Sequence, residues 1–431
     1  MVIQFLALIK PVKDNIINIY FTSCLIGILA LFAITTANAN KVLIDAFGLH
    51  VHGLHRGNPW PAVRFGFLRL WDSGTQWRQL EPRKGDWQFK RLDQIVRMAN
   101  NHGVKLLMTL GQTPLWAAAD PNAESPYRDG ASSPPRDLSD WRNYVKQIGK
   151  RYKGKIRHWE VWNEINVKHF WSGDLRTMVE MERIAVEILK SIDPDNLVLT
   201  PSIQGGAYKW LDRYLDAGGG RYADAISYHF YAPTHWPEEV AGRILRVREL
   251  LVNHGLGNKP IWNTETGWLF ENSDGKLGRR MRPAWRNWKK VGYKAAAGVV
   301  ARTYLVNLAN GVEHIFWYAW DNSAMGLTED HGRKMKPAAY GYERMVEWLL
   351  GADIHGCNDF NDIWICRLSV KDQNQYIVWG IHNSDFYIPE LWRVDILMRM
   401  DGKQESLGIK RKIRIGPMPV LLRSSLSAKG S

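Results

Sequence analysis

Cysteine is scarce in this chain. Its 431 residues hold three, Cys24, Cys357 and Cys366, and none stands at a metal-ligand spacing such as C-x-x-C. No cluster of His, Asp and Cys at ligand spacing occurs either, so no metal and no other cofactor is implied. Internal repeats and low-complexity tracts are also absent. So is any basic run resembling a nucleic-acid arm, although the net charge is +14. That charge fits an acidic polymer substrate, an anionic membrane surface or plain solubility, and it does not decide among them. Nucleic acid is not an expected partner.

What is abundant is tryptophan, at 21 residues. Indole rings are costly to expose, so this number predicts a surface built for stacking, with the flat faces of sugar rings or nucleobases as natural partners. The rest of the composition, 45% apolar and 23% charged, is that of an ordinary soluble globular protein. The length suits one α/β barrel of about 250 residues with an appendage, or two or three smaller domains. A monomer is expected.

Residues 1–40 read as an export segment. Lys10 and Lys13 precede an apolar run over 16–34, and Ala37 and Ala39 suit cleavage after Ala39. The run is also long enough to span a bilayer, so a retained N-terminal membrane anchor is the alternative to a cleaved signal peptide. Either way the remainder is expected outside the inner membrane, periplasmic or extracellular. Cys24 lies inside the apolar run and does not read as a lipoprotein site. Cys357 and Cys366 flank "NDFNDIWI" and either meet across a hairpin in an oxidising compartment or remain two buried thiols.

After residue 41, short apolar runs alternate with helical periods. Strands are predicted over 46–54, 65–71, 104–111, 156–162, 196–202, 224–230, 259–265 and 313–320. Leu92, Ile95, Val96 and Ala99 form one helical stripe; Met178, Met181, Ile184, Ala185 and Ile188 form another. Eight such strands predict a (β/α)8 TIM barrel over 41–351, with little room for a helix between the first two. From 352 to 423 the texture changes to short strands and turns, predicting a small antiparallel β-sandwich that the stretch before the first barrel strand joins. Residues 424–431 read as a disordered tail.

In a parallel barrel, chemistry sits at the C-terminal strand ends. Glu164 lies just past the fourth strand, in "EVWNEINV", and Glu265 ends the seventh, in "IWNTETGW". Both tips open onto one mouth. Two carboxylates about 5–5.5 Å apart straddling a glycosidic bond support double displacement, one attacking the sugar carbon while the other protonates the departing oxygen. Asn163 is placed to hold the sugar 2-hydroxyl. His229 and Tyr231, after the sixth strand, are placed to donate to Glu265 and keep it ionised. Trp162 and Trp320 are candidate pocket walls.

These motifs resemble clan A of the retaining glycoside hydrolases: W-N-E after a fourth strand, T-E-T-G-W after a seventh. "LRLWDSGTQWRQLEPRKGDWQF", "TLGQTPLWAA" and "SYHFYAP" are similar to glycoside hydrolase family 39, which includes β-xylosidases, α-L-iduronidases and bacterial exopolysaccharide-cleaving members. An N-terminal apolar segment, a barrel and a small β domain resemble the layout of PslG-type exopolysaccharide endoglycosidases. The resemblance implies Glu164 as acid/base and Glu265 as nucleophile of an endoglycosidase acting on a polysaccharide. An exo-acting β-xylosidase-like enzyme and a non-catalytic carbohydrate-binding or assembly protein are the alternatives.

Other positions carry paired readings. Arg69 either orients Glu265 or forms a buried ion pair; Asp72 either binds a sugar hydroxyl or caps its loop. One of His50 and His52 faces inward, and each reads more readily as a core histidine than as a ligand. Gln112, Trp77, Trp116, Trp171, Trp236 and Trp268 lie at or beyond strand tips, as substrate-binding or packing residues. The basic aromatic stretch 276–290, "KLGRRMRPAWRNWKK", either grips an acidic polysaccharide or is a solvated loop near membrane headgroups.

Overall fold

Strands and helices alternate from Phe47 to Leu349 in the computed structural model, which describes residues 41–278 and 285–425. Residues 1–40, on which the export expectation falls, and residues 279–284 and 426–431 lie outside the described residues. The barrel strands are Phe47–His50, Phe67–Leu70, Lys105–Thr109, His158–Glu160, Leu197–Leu199 continued by Ile203–Gln204, Ile226–His229, Ile261–Thr266 and Val312–Trp317. All neighbours are parallel, and the first pairs with the last through Phe47 and Ile315. The fifth strand is interrupted at Pro201, which has no N–H for a ladder. Its first half pairs with the fourth strand, its second half with the sixth, and a Leu199–Ala225 bridge closes the ring. The chain is a (β/α)8 barrel, as its strand pattern predicts.

The helices bury the stripes their sequence periods mark. Leu92, Ile95, Val96 and Ala99 are buried on the helix Lys90–Asn101. On Leu175–Ile192, Asp174 caps the N-terminus by accepting from Thr177 N–H at 2.8 Å. Ile188 there is only half-buried, and Leu189 takes its place in the core. Between the first two strands the chain makes only a short 3-10 turn, Leu54–Arg56. The helix Ala296–Ala309 is buried on every face over its first twelve residues, with Pro337–Leu349 against it. A Cβ on Gly341 would come 2.6 Å from Ala297 O, so this contact requires glycine.

Inside the barrel the inward positions change character along each strand. Phe67, Leu107, Leu199, Ala225, Trp262 and Phe316 form an apolar plug. Two residues further along, on the same face, stand Arg69, Thr109, Ser227 and Thr264. The floor of the mouth is therefore polar and rests on a packed base.

From Asp353 onward the chain is antiparallel β. A six-stranded sheet runs 353–360, 363–370, 373–380, 420–423, 396–399, 404–406 in spatial order, and a two-stranded ladder pairs 384–387 with 412–415. Val378, Phe386, Leu397, Ile413 and Leu422 share a core between them, as expected of a small sandwich. Cys357 and Cys366 face each other across the first hairpin and form a disulfide. The stretch before the first barrel strand does not join this sheet. Val42 instead exchanges backbone hydrogen bonds with Gly351 and Ala352, just after the last helix. Ser424 and Ser425, expected in the disordered tail, are held by hydrogen bonds to Gln373 and Asp395. Among the described residues no helix is long and apolar enough to cross a membrane.

The tryptophan reading needs correction. Trp77, Trp141, Trp159, Trp162, Trp268, Trp317, Trp320 and Trp379 are fully buried, so much of the surplus fills the large spaces between helices and barrel.

Candidate active site

Arg69 anchors the floor. Its Nε and Nη2 donate to Glu160 Oε2 at 2.9 and 2.6 Å, Nη2 also reaches Asn163 Oδ1 at 2.8 Å, and Nη1 donates to Glu265 Oε2 at 2.9 Å. It is both orienter of Glu265 and member of a buried ion pair. Glu160, fully buried, also accepts from Thr109, Ser227 and Thr264. Burial alone would raise its pKa, but Arg69 and these hydroxyls hold it below the usual carboxylate range. Asn163, with its Oδ1 taken by Arg69, has its amide nitrogen left to donate.

Two local backbone features aim the glutamates. Between Ile315–Asn263 and Trp317–Thr266 the seventh strand carries one residue more than the eighth, a bulge at Thr264 and Glu265. Strict alternation would turn one of these away; the bulge brings both into the mouth, with Thr264 on Glu160 and Glu265 on Arg69. Glu164 has φ +46°, a left-handed conformation unusual for a non-glycine residue, and its N–H donates to Ser202 Oγ at 2.9 Å. Asp72 and Gln112, at the ends of the second and third strands, are left-handed too, each with φ +59°. Such conformations persist only where the surroundings over-determine them.

One oxygen each of Glu164 and Glu265 and one ring nitrogen of His229 all lie within 4.8 Å of one another. Tyr231 Oη donates to Glu265 Oε1 at 2.9 Å, as expected. His229 does not serve Glu265, contrary to the sequence expectation. Its Nδ1 stands 2.9 Å from Glu164 Oε1, and its Nε2 is 3.1 Å from Thr264 Oγ1. The sixth strand directs His229 inward toward the fourth, and only Tyr231, two residues on, reaches the seventh.

Protons can be placed on this chain. Burial pushes the His229 imidazole down to about 4, so it is neutral at neutral pH, with a single N–H. Thr264 has one hydroxyl proton, and the ionised Glu160 at 2.8 Å claims it through a charge-assisted bond. The one N–H of His229 is therefore shared out between its contacts with Glu164 and Thr264. Burial raises the Glu265 pKa, and Glu164 adds to this; Arg69, and His229 once charged, pull it back. Tyr231 supplies one of the donors expected to keep Glu265 ionised, against the upward push of its burial.

Glu164, His229 and Glu265 could geometrically offer three ligand atoms to a cation. The permanent charge of Arg69, 2.9 Å from Glu265, already occupies the electrostatic place a cation would take.

A cavity of about 700 Å³ stands over the pair, lined by Trp71, Asp72, Tyr127, Asn163, Tyr231 and Tyr318 among others. Tyr127 and Tyr318 each donate to Asp72 at 2.6 Å, tying together the loops after the second, third and eighth strands. Several expected wall residues stand elsewhere. Trp320 is fully buried beneath Gly332, Trp268 packs on Trp317, and Trp162 is enclosed with its Nε1 on Phe170 O. Trp116 donates to Glu81 O beside Trp77, and Gln112 faces Gln79; neither lines the cavity. Trp77 and Trp171 are buried, while the exposed Trp236 lies under Lys289. His50 is a core histidine on Thr264 O. The aromatic wall comes instead from Trp71, Tyr127, Phe170, Trp285, Trp288 and Tyr318.

Sequence reading passes over Glu160, Tyr127 and Tyr318. An inward arginine on the second strand requires a buried carboxylate partner, and that requirement is the signal that points to Glu160.

The profile of glycosyl hydrolase family 10 matches residues 71–184, a segment that includes Asn163 and Glu164 and ends short of Glu265. A β-xylosidase of Geobacillus stearothermophilus is 26% identical over 155 residues, covering 34% of this chain and 31% of that protein. An endo-1,4-β-xylanase of Halalkalibacterium halodurans is 29% identical over 96 residues, 20% of this chain and 24% of that one. The chain thus matches under a third of the length of these curated relatives. Among solved structures, a family 39 glycoside hydrolase from Bacteroides cellulosilyticus superposes with a TM-score of 0.67 at 17% identity, over 89% of this chain and 81% of that one. A monomeric β-xylosidase from Caulobacter crescentus gives 0.60 at 15% identity, over 90% and 98%. In its motifs, its local sequence and its fold, the chain resembles the retaining glycoside hydrolases of clan A.

Proposed function

We propose that the chain is a retaining O-glycoside hydrolase that cuts within a polysaccharide. The observation that carries this reading is the pair of buried glutamates with oxygens within 4.8 Å at the floor of an open cavity. That separation leaves no room for an inverting water between them and suits direct attack. Glu265 attacks the anomeric carbon as Glu164 passes its proton to the departing oxygen, giving a glycosyl ester on Glu265. Glu164, now a carboxylate, takes a proton from water; the hydroxide adds to the same carbon and the ester bond breaks, restoring both residues. Asn163 Nδ2 donates to the 2-hydroxyl as positive charge develops on the ring.

Internal cleavage is supported by the shape of the mouth. A second space of about 1610 Å³ adjoins the catalytic cavity and shares Asp72, Trp285 and Tyr318 with it, so a long chain can pass across the glutamates. A bacterial exopolysaccharide is the substrate we favour. The β-xylosidase relatives favour an exo-acting alternative, in which the groove would end at the cut sugar. We further infer export to the periplasm or the exterior, through cleavage of the segment 1–40 or anchorage by it. The Cys357–Cys366 disulfide, which persists in oxidising compartments, supports that placement.

A polysaccharide panel with product-length analysis tests the reading. A ladder of intermediate oligosaccharides supports internal cleavage, release of single sugars supports the exo alternative, and glycan binding without products removes the hydrolase.

A further inference from the structure

Five acidic or basic side chains line the catalytic cavity: Asp72, Glu164, His169, Arg243 and Glu265. Four have partners. Glu164 is bonded to His229, Glu265 to Arg69 and Tyr231, Asp72 to Tyr127 and Tyr318, and His169 stands 3.7 Å from Glu124. Arg243 alone has none: among the described residues it makes no ion pair and no hydrogen bond, and its Nε is buried without an acceptor. Glu239, one turn earlier on the helix Glu239–Asn253, is exposed and makes no ion pair with it. A half-buried guanidinium facing a cavity presents a planar set of donors that matches a carboxylate.

Its position says which part of a substrate it meets. The proton donor Glu164 must face the leaving group. Its backbone is tied to Ser202, and Asn166, two residues on, binds Gln204 N and O through its side chain. Gln204, Gly205 and Gly206 then line the cavity together with Arg243 and Thr234. Glycines 205 and 206 put no side chain between Arg243 and that space. The far side of the cavity carries Asp72, Tyr318 and Trp285. One end therefore presents an unpaired cation and the other a carboxylate.

We propose that Arg243 forms a subsite for an acidic sugar on the leaving-group side, its planar guanidinium pairing with a uronate carboxylate. The assignment of sides rests on the hydrolase reading above, whereas the anion site itself does not. The substrate class is then a polymer in which an acidic residue follows the cut bond.

Binding separates the two readings. D-Glucuronate and D-glucose, titrated calorimetrically into the intact protein, differ at carbon six by a carboxylate. The wild-type chain should bind glucuronate about tenfold more tightly, a preference weakened by salt, since one charge-assisted hydrogen-bonded pair is worth roughly that factor. Arg243→Ala should bind the two sugars equally, and Arg243→Lys should keep part of the preference. Equal binding by the wild-type chain, or a preference that survives in Arg243→Ala, overturns the subsite. Hydrolysis of a uronate-bearing polysaccharide and of its carboxyl-reduced form provides the second arm. Glucuronate preference without hydrolysis of either polymer leaves the anion site standing and removes the hydrolase. Hydrolysis of both polymers at equal rates by wild-type and Arg243→Ala protein also overturns the subsite, with the hydrolase intact.

Discussion

His229 Nδ1 stands 2.9 Å from Glu164 Oε1 while Nε2 of the same ring is 3.1 Å from Thr264 Oγ1, so one neutral imidazole links the proposed acid to the buried Glu160 network. This ring orients the acid. His229→Ala should lower kcat/KM on substrates with poor leaving groups by about 10²-fold, in line with the usual size of general-acid assistance. Activated aryl glycosides, which need little protonation, should lose far less. Equal losses on both substrate types would show that the ring is merely structural.

The glutamates themselves should separate by chemistry. Glu265→Ala removes the attacking oxygen and should abolish turnover of every substrate. Glu164→Ala should still open activated aryl glycosides, and azide should accelerate the second step and yield a glycosyl azide of retained configuration. Near-normal turnover in Glu265→Ala would contradict the role assignment.

Among the described residues Arg69 is the one cation bonded to both Glu160 and Glu265, and its side chain is fully buried. Arg69→Ala leaves two buried carboxylates without it and should cost about 3–5 kcal/mol of stability, measured by denaturant unfolding, along with activity. A loss under 1 kcal/mol would mean that water replaces the guanidinium.

Glu182, on the outer helix, is fully buried and accepts from Tyr214 Oη and Gly220 N–H, with no cation among the described residues bonded to it. Burial raises its pKa from 4.5 to about 7. Below pH 4.5 both folded and unfolded chains hold the proton. Between 4.5 and 7 the folded chain keeps it while the unfolded chain loses it, so this contribution to stability falls as pH rises and is gone above 7. The span amounts to roughly 3 kcal/mol. Unfolding at pH 5 and pH 8 should show Glu182→Gln gaining on the wild-type chain by that order at the higher pH; a pH-independent difference would refute the account.

The Cys357–Cys366 disulfide closes a short loop in a hairpin that packs on the helix Ala296–Ala309, outside the barrel. Its removal by paired serine substitution should cost about 2–3 kcal/mol by the loop-entropy estimate and lower Tm. Hydrolysis rates below the new Tm should be unchanged.

Much of the architecture is legible without coordinates. The short apolar runs over 65–71 and 259–265 mark strands, and the stripe Leu92, Ile95, Val96, Ala99 marks a helix face, because both patterns are local properties of the backbone. The eight strand segments and the placement of Glu164 and Glu265 at strand ends follow from them. The failures cluster where a neighbour decides. Trp320 and Trp268 look like pocket walls because they follow strand tips, but the backbone there turns them into the packing behind the mouth.

Amino-acid order alone thus determined the ring of strands and the two acids at its rim, since each depends on periods a few residues long. Only the closed barrel decided that His229 meets Glu164 and not Glu265, that a bulge lets Thr264 and Glu265 both face inward, and that Arg243 stands in the cleft with no ion pair or hydrogen bond among the described residues. At a strand end a single dihedral or one inserted residue redirects a side chain by several ångströms, and that choice is made by contacts with strands and loops far away in sequence.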